Sequence, residues 1–333
     1  MKKLAIVLTV LILSGGPIFS QDLLPLGRDL DTLLEKLGED VVPYLQQNAL
    51  AGEGIGMAEL SEGSKFWFAT SLGATLSNGL GTFLDDESAF ELLDVNGMLQ
   101  TAVDGTAIES YYNKAKSFFP YPIMRVAFGF RSFADTELIF MFSIFPQLLT
   151  DTVAGSVKME GVTLNWMNAG VRLRKALMSD QGGFPAISLG VGYSFSSFNI
   201  GYALPEDFSQ DVTGFPLSIQ GDLGIHTMLN SLGVELALSK RLGVFIPFVR
   251  VSPWYHWIRY TGEVKDFEAT AGGESYIAQG GKDPSAEKNI YDLDVLFAGG
   301  FDIKLGKFAI LAEGSYSLDS RAFGAGLGMR FQF

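Results

Sequence analysis

The 333-residue chain contains no cysteine, which excludes a disulfide framework, thiol catalysis and a lipid-modified N-terminal Cys. Its histidines are two, His226 and His256; without cysteine beside them, a dedicated transition-metal site is not expected, nor is any cofactor. Charge is scarce, with 18% Asp, Glu, Lys and Arg against roughly 25% in an ordinary soluble domain. What charge there is sums to −13, and that acidity excludes nucleic acid as a partner, because such binding wants a basic surface. Beyond the N-terminus there is no run of the roughly 18 uninterrupted apolar residues that a membrane helix needs. Yet 47% of the chain is hydrophobic. Apolar residues that are abundant but never run together must alternate with others.

They do. At the carboxyl end Phe323, Leu327, Met329, Phe331 and Phe333 point one way, and Ala322, Gly324, Gly326, Gly328, Arg330 and Gln332 the other. Successive side chains of a strand alternate between faces. A soluble strand would carry Lys, Glu or Thr on its wet face, whereas this one is apolar on one side and small on the other. The pattern suits lipid outside and a confined interior inside. It recurs in Lys65–Ser77, Pro122–Ser132, Glu137–Phe145, Met167–Leu173 and Ile187–Phe195. Further alternating runs are Leu217–Ile225, Leu232–Leu238, Leu242–Tyr260, Tyr291–Ile303 and Phe308–Tyr316. Each is near the roughly 9–11 residues of a tilted membrane strand.

If Pro216–Lys240 is one long strand, ten strands result, with short turns at Phe133–Ala134, Ser179–Gly183, Arg241 and Gly306. The other connections are Asn78–Tyr121, Pro146–Val157, Asn199–Phe215, Thr261–Asn289 and a short turn near Asp319. Short and long alternate, as in barrels with periplasmic turns and external loops. Twelve strands is the alternative, one being Thr82–Leu93. The predicted fold is all-β, a transmembrane antiparallel barrel of about 10–12 strands, residues 64–333.

Residues 1–20 have the order of a secretory signal peptide: Lys2 and Lys3, the apolar run Leu4–Leu13, then small residues up to Ser20. A short N-terminal anchor is the other reading. Residues 21–63 hold a helical segment in which Leu23, Leu26, Leu30, Leu33, Leu34, Leu37, Val41, Tyr44 and Leu45 recur at spacings of three and four. Pro43 is expected to kink or divide it, and Gly52, Gly54 and Gly56 to end it. Its destination is the lumen as a plug, the periplasmic mouth as a cap, or a partner. Gly97–Lys116 reads as a helix-like lid or a surface decoration.

Inward positions carry Arg125, Arg131, Arg172 and Arg174 on early strands, with Asp222, Glu235, Asp292, Asp294, Asp302 and Glu313 on later ones. In a low-dielectric lumen such charges pair across the barrel or bind the helix; alternatively they line an aqueous path. Trp254, Tyr255, Trp257 and Tyr260, around His256, form an expected aromatic girdle at the membrane interface. His226 with Asp222 is the arrangement an enzyme would need, but Ser218, Ser231 and Ser252 sit in no nucleophile motif, so no catalytic residue is assigned. Asp283, Asp292 and Asp294 lack calcium-loop spacing, and Thr261–Asn289 reads as a solvated loop.

The final strand, ending on Phe331 and Phe333, resembles the terminal strand of bacterial outer-membrane barrels, in which a last Phe is part of the signal read by the barrel-assembly machinery. The whole mature chain resembles that class, which implies outer-membrane lipid as its surroundings and the outer membrane as its location. The helical segment ending Asn48-Ala49-Leu50-Ala51-Gly52-Glu53-Gly54 loosely resembles the N-terminal plug of FadL-type long-chain fatty acid transporters, and uncharacterised barrel families of similar length. That resemblance implies up to fourteen strands and lateral uptake of hydrophobic compounds. The segment lacks an Asn-Pro-Ala motif, and no binding residue carries over. Inward Ile139, Met141, Leu296 and Leu311 would make part of the interior apolar. The expected function is passive transport of a small hydrophobic ligand through a narrow or plugged lumen. The alternative is a sealed structural or adhesive barrel with acidic external loops.

Overall fold

The computed structural model describes residues 24–50, 56–58, 65–77, 119–131, 135–145, 162–203, 209–212, 215–271, 274–275 and 281–333. The signal-like segment, Thr82–Leu93, the stretch Gly97–Lys116, the Phe133–Ala134 turn and the connection Pro146–Val157 lie outside these residues. A helix, α1 (Leu24–Leu50), precedes the strands β1 (Phe66–Ser77), β2 (Phe119–Arg131), β3 (Thr136–Phe145), β4 (Val162–Met178), β5 (Ala186–Ala203) and β6 (Ser209–Val212). Then come β7 (Phe215–Ser239), β8 (Phe245–Ala271), β9 (Glu274–Ser275), β10 (Ser285–Leu305), β11 (Phe308–Ser317) and β12 (Phe323–Gln332).

Ten of these strands close an antiparallel ring in the order β1-β2-β3-β4-β5-β7-β8-β10-β11-β12, with β12 paired back onto β1. The short β6 and β9 only extend the edges of β7 and β8. Because β1 pairs directly with β2 and the ring closes on ten, neither twelve nor fourteen strands circle the barrel. At the seam Phe333 N–H donates to Phe66 O at 2.8 Å and Lys65 N–H to Phe333 O at 2.8 Å.

The strands are unequal: β1, β3, β11 and β12 have 10–12 residues, whereas β7, β8 and β10 have 25, 27 and 21. The long strands therefore stand above the rest of the ring at the end of the long connections. Along them the apolar side changes sense. In the lower part of β7, Leu232, Val234 and Leu236 face outward and are exposed; above, Leu223, Ile225 and Leu229 face inward and are buried. In β8, Val249, Val251 and Tyr255 face outward, while Ile258, Tyr260 and Val264 face inward. The lower wall is apolar outside, as in a barrel held by lipid. The upper wall is apolar inside, as in a protein surrounded by water. On β10 the outward apolar series runs from Leu293 to Ile303; ten steps of about 3.4 Å at a tilt of roughly 40° make a band ~26 Å tall, close to the roughly 25 Å typical of membrane barrels.

The long strands overturn two sequence-based expectations. Asp222 and His226 were placed inside because their neighbours Leu223 and Ile225 were read as lipid-facing. Those leucine-class residues face the interior, so Asp222 is exposed and His226 lies on the outer face. Thr261–Asn289 is not simply a loop: β8 runs to Ala271 and β10 starts at Ser285. A bulge hides its period. Register slips between Gln220 and Asp222 of β7, and opposite it Asp266 takes φ 51°. The buried positions of β8 shift there from even (Val264) to odd (Phe267, Ala269).

Helix α1 lies against the inner faces of β1, β5, β7, β8, β10 and β12. It continues through Pro43 from Leu24 to Leu50 rather than dividing. Its Leu30, Leu33, Leu34 and Leu37 are buried. Each such leucine contributes about 1.5–3 kcal/mol relative to an exposed one.

At the opposite, short-turn end, Lys240 Nζ donates to Asp180 Oδ1 at 2.6 Å, to Gly182 O at 2.7 Å and to Phe184 O at 3.0 Å. Asp180 also accepts the Arg241 N–H. The Lys240 ammonium, and then the Arg241 N–H, hold the Asp180 carboxyl below its usual range. A carboxyl depressed on folding contributes stability that is present above its unfolded value, about 3.9, and is lost as pH falls through the lower folded value. The clamp is at the surface, so the effect is small. Asp180→Asn is expected to flatten the pH dependence of unfolding below about pH 3.9, followed by tryptophan fluorescence. An unchanged slope would assign the acid sensitivity to another group.

Candidate functional site

The lumen is the candidate site, and its charges are organised by the β-register. Arg172 of β4 pairs with Glu235 of β7, which also lies 3.6 Å from Arg250 Nη1 of β8. Arg250 Nη2 in turn donates to Glu313 of β11 at 3.0 Å. Arg330 of β12 pairs with Asp302 of β10 at 2.5 Å. Arg174 donates from Nε to Glu137 of β3 at 2.8 Å, and Trp67 Nε1–H donates to the same carboxylate. These residues are all buried.

The pairs do not cross the barrel, as the sequence suggested. Apart from Arg174 and Arg250–Glu235, whose partners are on the next strand, each links strands separated by one other. For Arg172 and Glu235 the reach is possible because the strand between is small on its inner face. Between Arg172 and Glu235 runs β5, where Gly192 faces Arg172 and Gly190 faces Glu235. A Cβ on Gly192 would lie 3.2 Å from Arg172 Nε and 3.0 Å from the Trp254 ring. The alternating glycines thus clear a path for long side chains along the wall, and the ion pairs stay at the periphery.

The centre is occupied by the N-terminal segment, which bonds to that charged lining. Gln46 Nε2 donates to Asp292 at 3.0 Å, Gln47 Nε2 to Ser315 Oγ at 3.0 Å, and Arg125 Nη2 to Ala49 O at 3.2 Å. Lower down, Arg174 Nη1 donates to Met57 O at 2.8 Å, Met57 N–H to Asp302 at 3.3 Å, and Ala58 N–H to Ser239 Oγ at 3.0 Å. Gly56, at φ 65°, leaves room for Asp302, whose Oδ1 would be 2.5 Å from a Cβ there. At the upper end Ser285 N–H donates to Asp31 at 2.5 Å, Tyr260 O–H to Leu34 O at 2.7 Å, and Lys288 pairs with Glu39 and, at 3.8 Å, Glu35. Burial of a carboxyl disfavours its charged form, and it raises the Asp31 pKa against the opposing Ser285 N–H and Lys282.

Of the sequence-assigned lumen charges, Arg125, Arg172, Arg174, Glu235, Asp292, Asp294, Asp302 and Glu313 face inward. Asp294 accepts from Ser317 Oγ at 2.6 Å and from the Asp319 N–H at 3.1 Å. Arg131 sits part-exposed at the mouth and pairs with Asp135, four residues on, at 2.5 Å; its place at the strand end puts it beyond the lumen. Asp222 is outside. Glu137 and Arg250 were missed, though each holds an inward position in an alternating run, and Arg330, read as inward on the terminal strand, was left out of the charge set.

The expected girdle divides, since neighbours in a strand cannot share a face. Tyr255 and Trp257 face outward, 6.2 Å apart, with Tyr193 6.2 Å from Trp257. Tyr193 O–H donates to Asn230 at 2.7 Å, and Tyr291 is also exposed. Trp254 and Tyr260 face inward. The Trp254 ring lies over Gly233, and Arg172 Cζ is 5.3 Å from its centroid, within reach of a cation–π contact. His256 is likewise internal and fully buried, with Nδ1 2.8 Å from Ser231 Oγ. His226, outside, contacts Asn199. Among the described residues no group of three or more His, Asp and Glu is placed to hold a metal. Phe331 and Phe333 are exposed on the outside of the closing strand, beside Phe308 and Phe66 at 5.1 and 6.1 Å.

No family model matches the chain, and no curated protein matches it. Among solved structures it is similar to the translocator domain of the autotransporter NalP from Neisseria meningitidis. That match has 9% identity and a TM-score of 0.42, over 91% of this chain and 99% of that one. It is also similar to the outer membrane protease OmpT from Escherichia coli, at 11% identity and a TM-score of 0.39, over 82% of this chain and 99% of that one. The CymD monoaromatic hydrocarbon channel matches at 6% identity and a TM-score of 0.28, over 86% and 92% of the two chains. Likenesses this distant decide nothing about activity.

Proposed function

We propose that the chain is a bacterial outer-membrane barrel, sealed by its own N-terminal helix, whose raised wall is an acidic interaction surface outside the membrane. The observation that carries this reading is the N-terminal segment bonded to the lining at the upper rim, at mid-lumen and at the lower mouth. The outward apolar band flanked by Tyr193, Tyr255, Trp257 and Tyr291 supports the membrane setting. Short turns at one end and long connections at the other favour the orientation with short turns in the periplasm. The exposure of Phe331 and Phe333 on the closing strand supports recognition of that strand by the assembly machinery. On the raised wall, Asp222, Glu263, Asp266, Glu268 and Glu287 outnumber the outward cations Arg259 and Lys265, so a partner with basic groups fits it.

Transport of a small hydrophobic solute keeps one supporting observation: a hollow of about 510 Å³ on the outer wall, lined by Leu72, Gly299, Phe301, Ala312, Ala325 and Leu327. Uptake into lipid vesicles separates the two readings, using a small sugar and a fluorescent fatty acid with the full chain and with a variant lacking residues 24–50. Flux of neither solute through the full chain, with sugar flux after deletion, is the expected result. Fatty acid transfer by the full chain would overturn the sealed reading and support transport.

A further inference from the structure

We infer that the N-terminal end of α1 lies on the outside of the cell, because α1 runs down through the lumen from the external rim. The inference rests on the orientation given above, with the long connections outside.

The direction follows from an ordered series of contacts on one strand. Asp31 meets Ser285, Glu35 and Glu39 meet Lys288, Gln46 meets Asp292 and Met57 meets Asp302. As the number rises in the N-terminal segment it rises in β10, and β10 descends from the raised rim to the short-turn end. The lengths agree. From Asp31 to Gln46 is fifteen helical steps of 1.5 Å, about 22 Å; from Ser285 to Asp292 is seven strand steps of about 3.4 Å, about 24 Å. The helix axis therefore lies nearly along β10 over this distance. Ala58 then bonds to Ser239, the last residue of β7, and the chain starts β1 beside Phe333, both at the short-turn end. The described residues of the segment accordingly run from the external end to the short-turn end, with the start of α1 at the external rim.

The surface at that end is built to receive it. The inward residues Ile258, Tyr260, Val264 and Phe267 of the raised wall are buried, as are α1 residues Leu30, Leu33, Leu34 and Leu37. The Tyr260 ring fits where Gly38 has no side chain, 2.6 Å from the place a Cβ would take. Lys288, between Glu35 and Glu39, ties the same turns of helix to the rim.

Because the chain has no cysteine, single substitutions report position without background. Three variants of the full chain, Arg28→Cys near the start of α1, Lys282→Cys beside the long connections and Lys307→Cys in a short turn, are exposed to a membrane-impermeant maleimide on intact cells. The compact, unboiled form on a denaturing gel checks that each is folded. Labelling of Arg28→Cys together with Lys282→Cys, with Lys307→Cys modified only after permeabilisation, is the expected result. If Lys282→Cys reacts on intact cells while Arg28→Cys waits for permeabilisation like Lys307→Cys, the direction of the helix is overturned and the barrel orientation stands. If Lys307→Cys is the variant labelled on intact cells and Lys282→Cys is not, the orientation itself fails and the inference fails with it. Should Arg28→Cys not fold, the same readout is taken on Thr32→Cys.

Discussion

Replacing Glu235 with Ala is expected to destabilise the barrel by about 3–5 kcal/mol, the usual cost of leaving buried charge without its partner. Glu235 lies between Arg172 and Arg250, and all three side chains are nearly inaccessible to solvent. Without the carboxylate the two guanidiniums lose the anion they share. Arg172 retains the Trp254 face, and Arg250 retains Glu313. Glu235→Gln separates charge from shape, since it preserves volume and one acceptor oxygen while removing the negative charge and turning the other oxygen into a donor. It is expected to cost most of the same amount. Both are measured by urea unfolding of the protein in lipid vesicles. A loss below about 1 kcal/mol, the scale of an exposed pair, would mean that water reaches the two arginines, and a wet lumen contradicts the seal.

Phe297→Arg is expected to cost about 2–4 kcal/mol in the same assay, provided the outward face of β10 meets the middle of the bilayer. Phe297 lies within the apolar series from Leu293 to Ile303 and is exposed. Asn289→Arg, on the same face but above Tyr291, is the matched control and is expected to cost about 0–1 kcal/mol. Equal costs at the two positions would refute the depth assigned from the inversion of apolar faces. A fold destabilised by Asn289→Arg and indifferent to Phe297→Arg would place the bilayer around the raised wall.

Strand number, the short turns at Ser179–Gly183, Arg241 and Gly306 and the outward faces of β1, β2, β11 and β12 were legible in the sequence, because a two-residue period is unambiguous when only one side is apolar. The period says which residues share a face and is silent on whether lipid or a packed helix lies beyond it. Leu223 and Ile225 therefore read the same as Leu232 and Val234, though the first pair is covered within the barrel and the second is bare. Asp222 and His226 were misplaced by this ambiguity. Trp254 and Tyr260 were misplaced for another reason: a run of aromatic residues suggested one environment where alternation demands two. The strand beyond Thr261 was obscured by the phase break at Asp266. The charged residues were visible as a set. Their pairing was not, because Arg172 reaches Glu235 over Gly190 and Gly192, and that relation exists only once β4, β5 and β7 are in register.

The seam sets an order of events. The wall closes by joining β1 to β12, the first strand to the last, so the cylinder stays open along one side until residues 323–332 arrive. Helix α1, about 40 Å long at 1.5 Å per residue, is longer than the membrane band is tall and touches both walls of the seam, β1 and β12. Since it precedes every strand in the chain, it can be enclosed sideways as the wall curls round it, and the final pairing shuts it in. Biogenesis on this plan has no separate threading step: the cylinder is made around its contents.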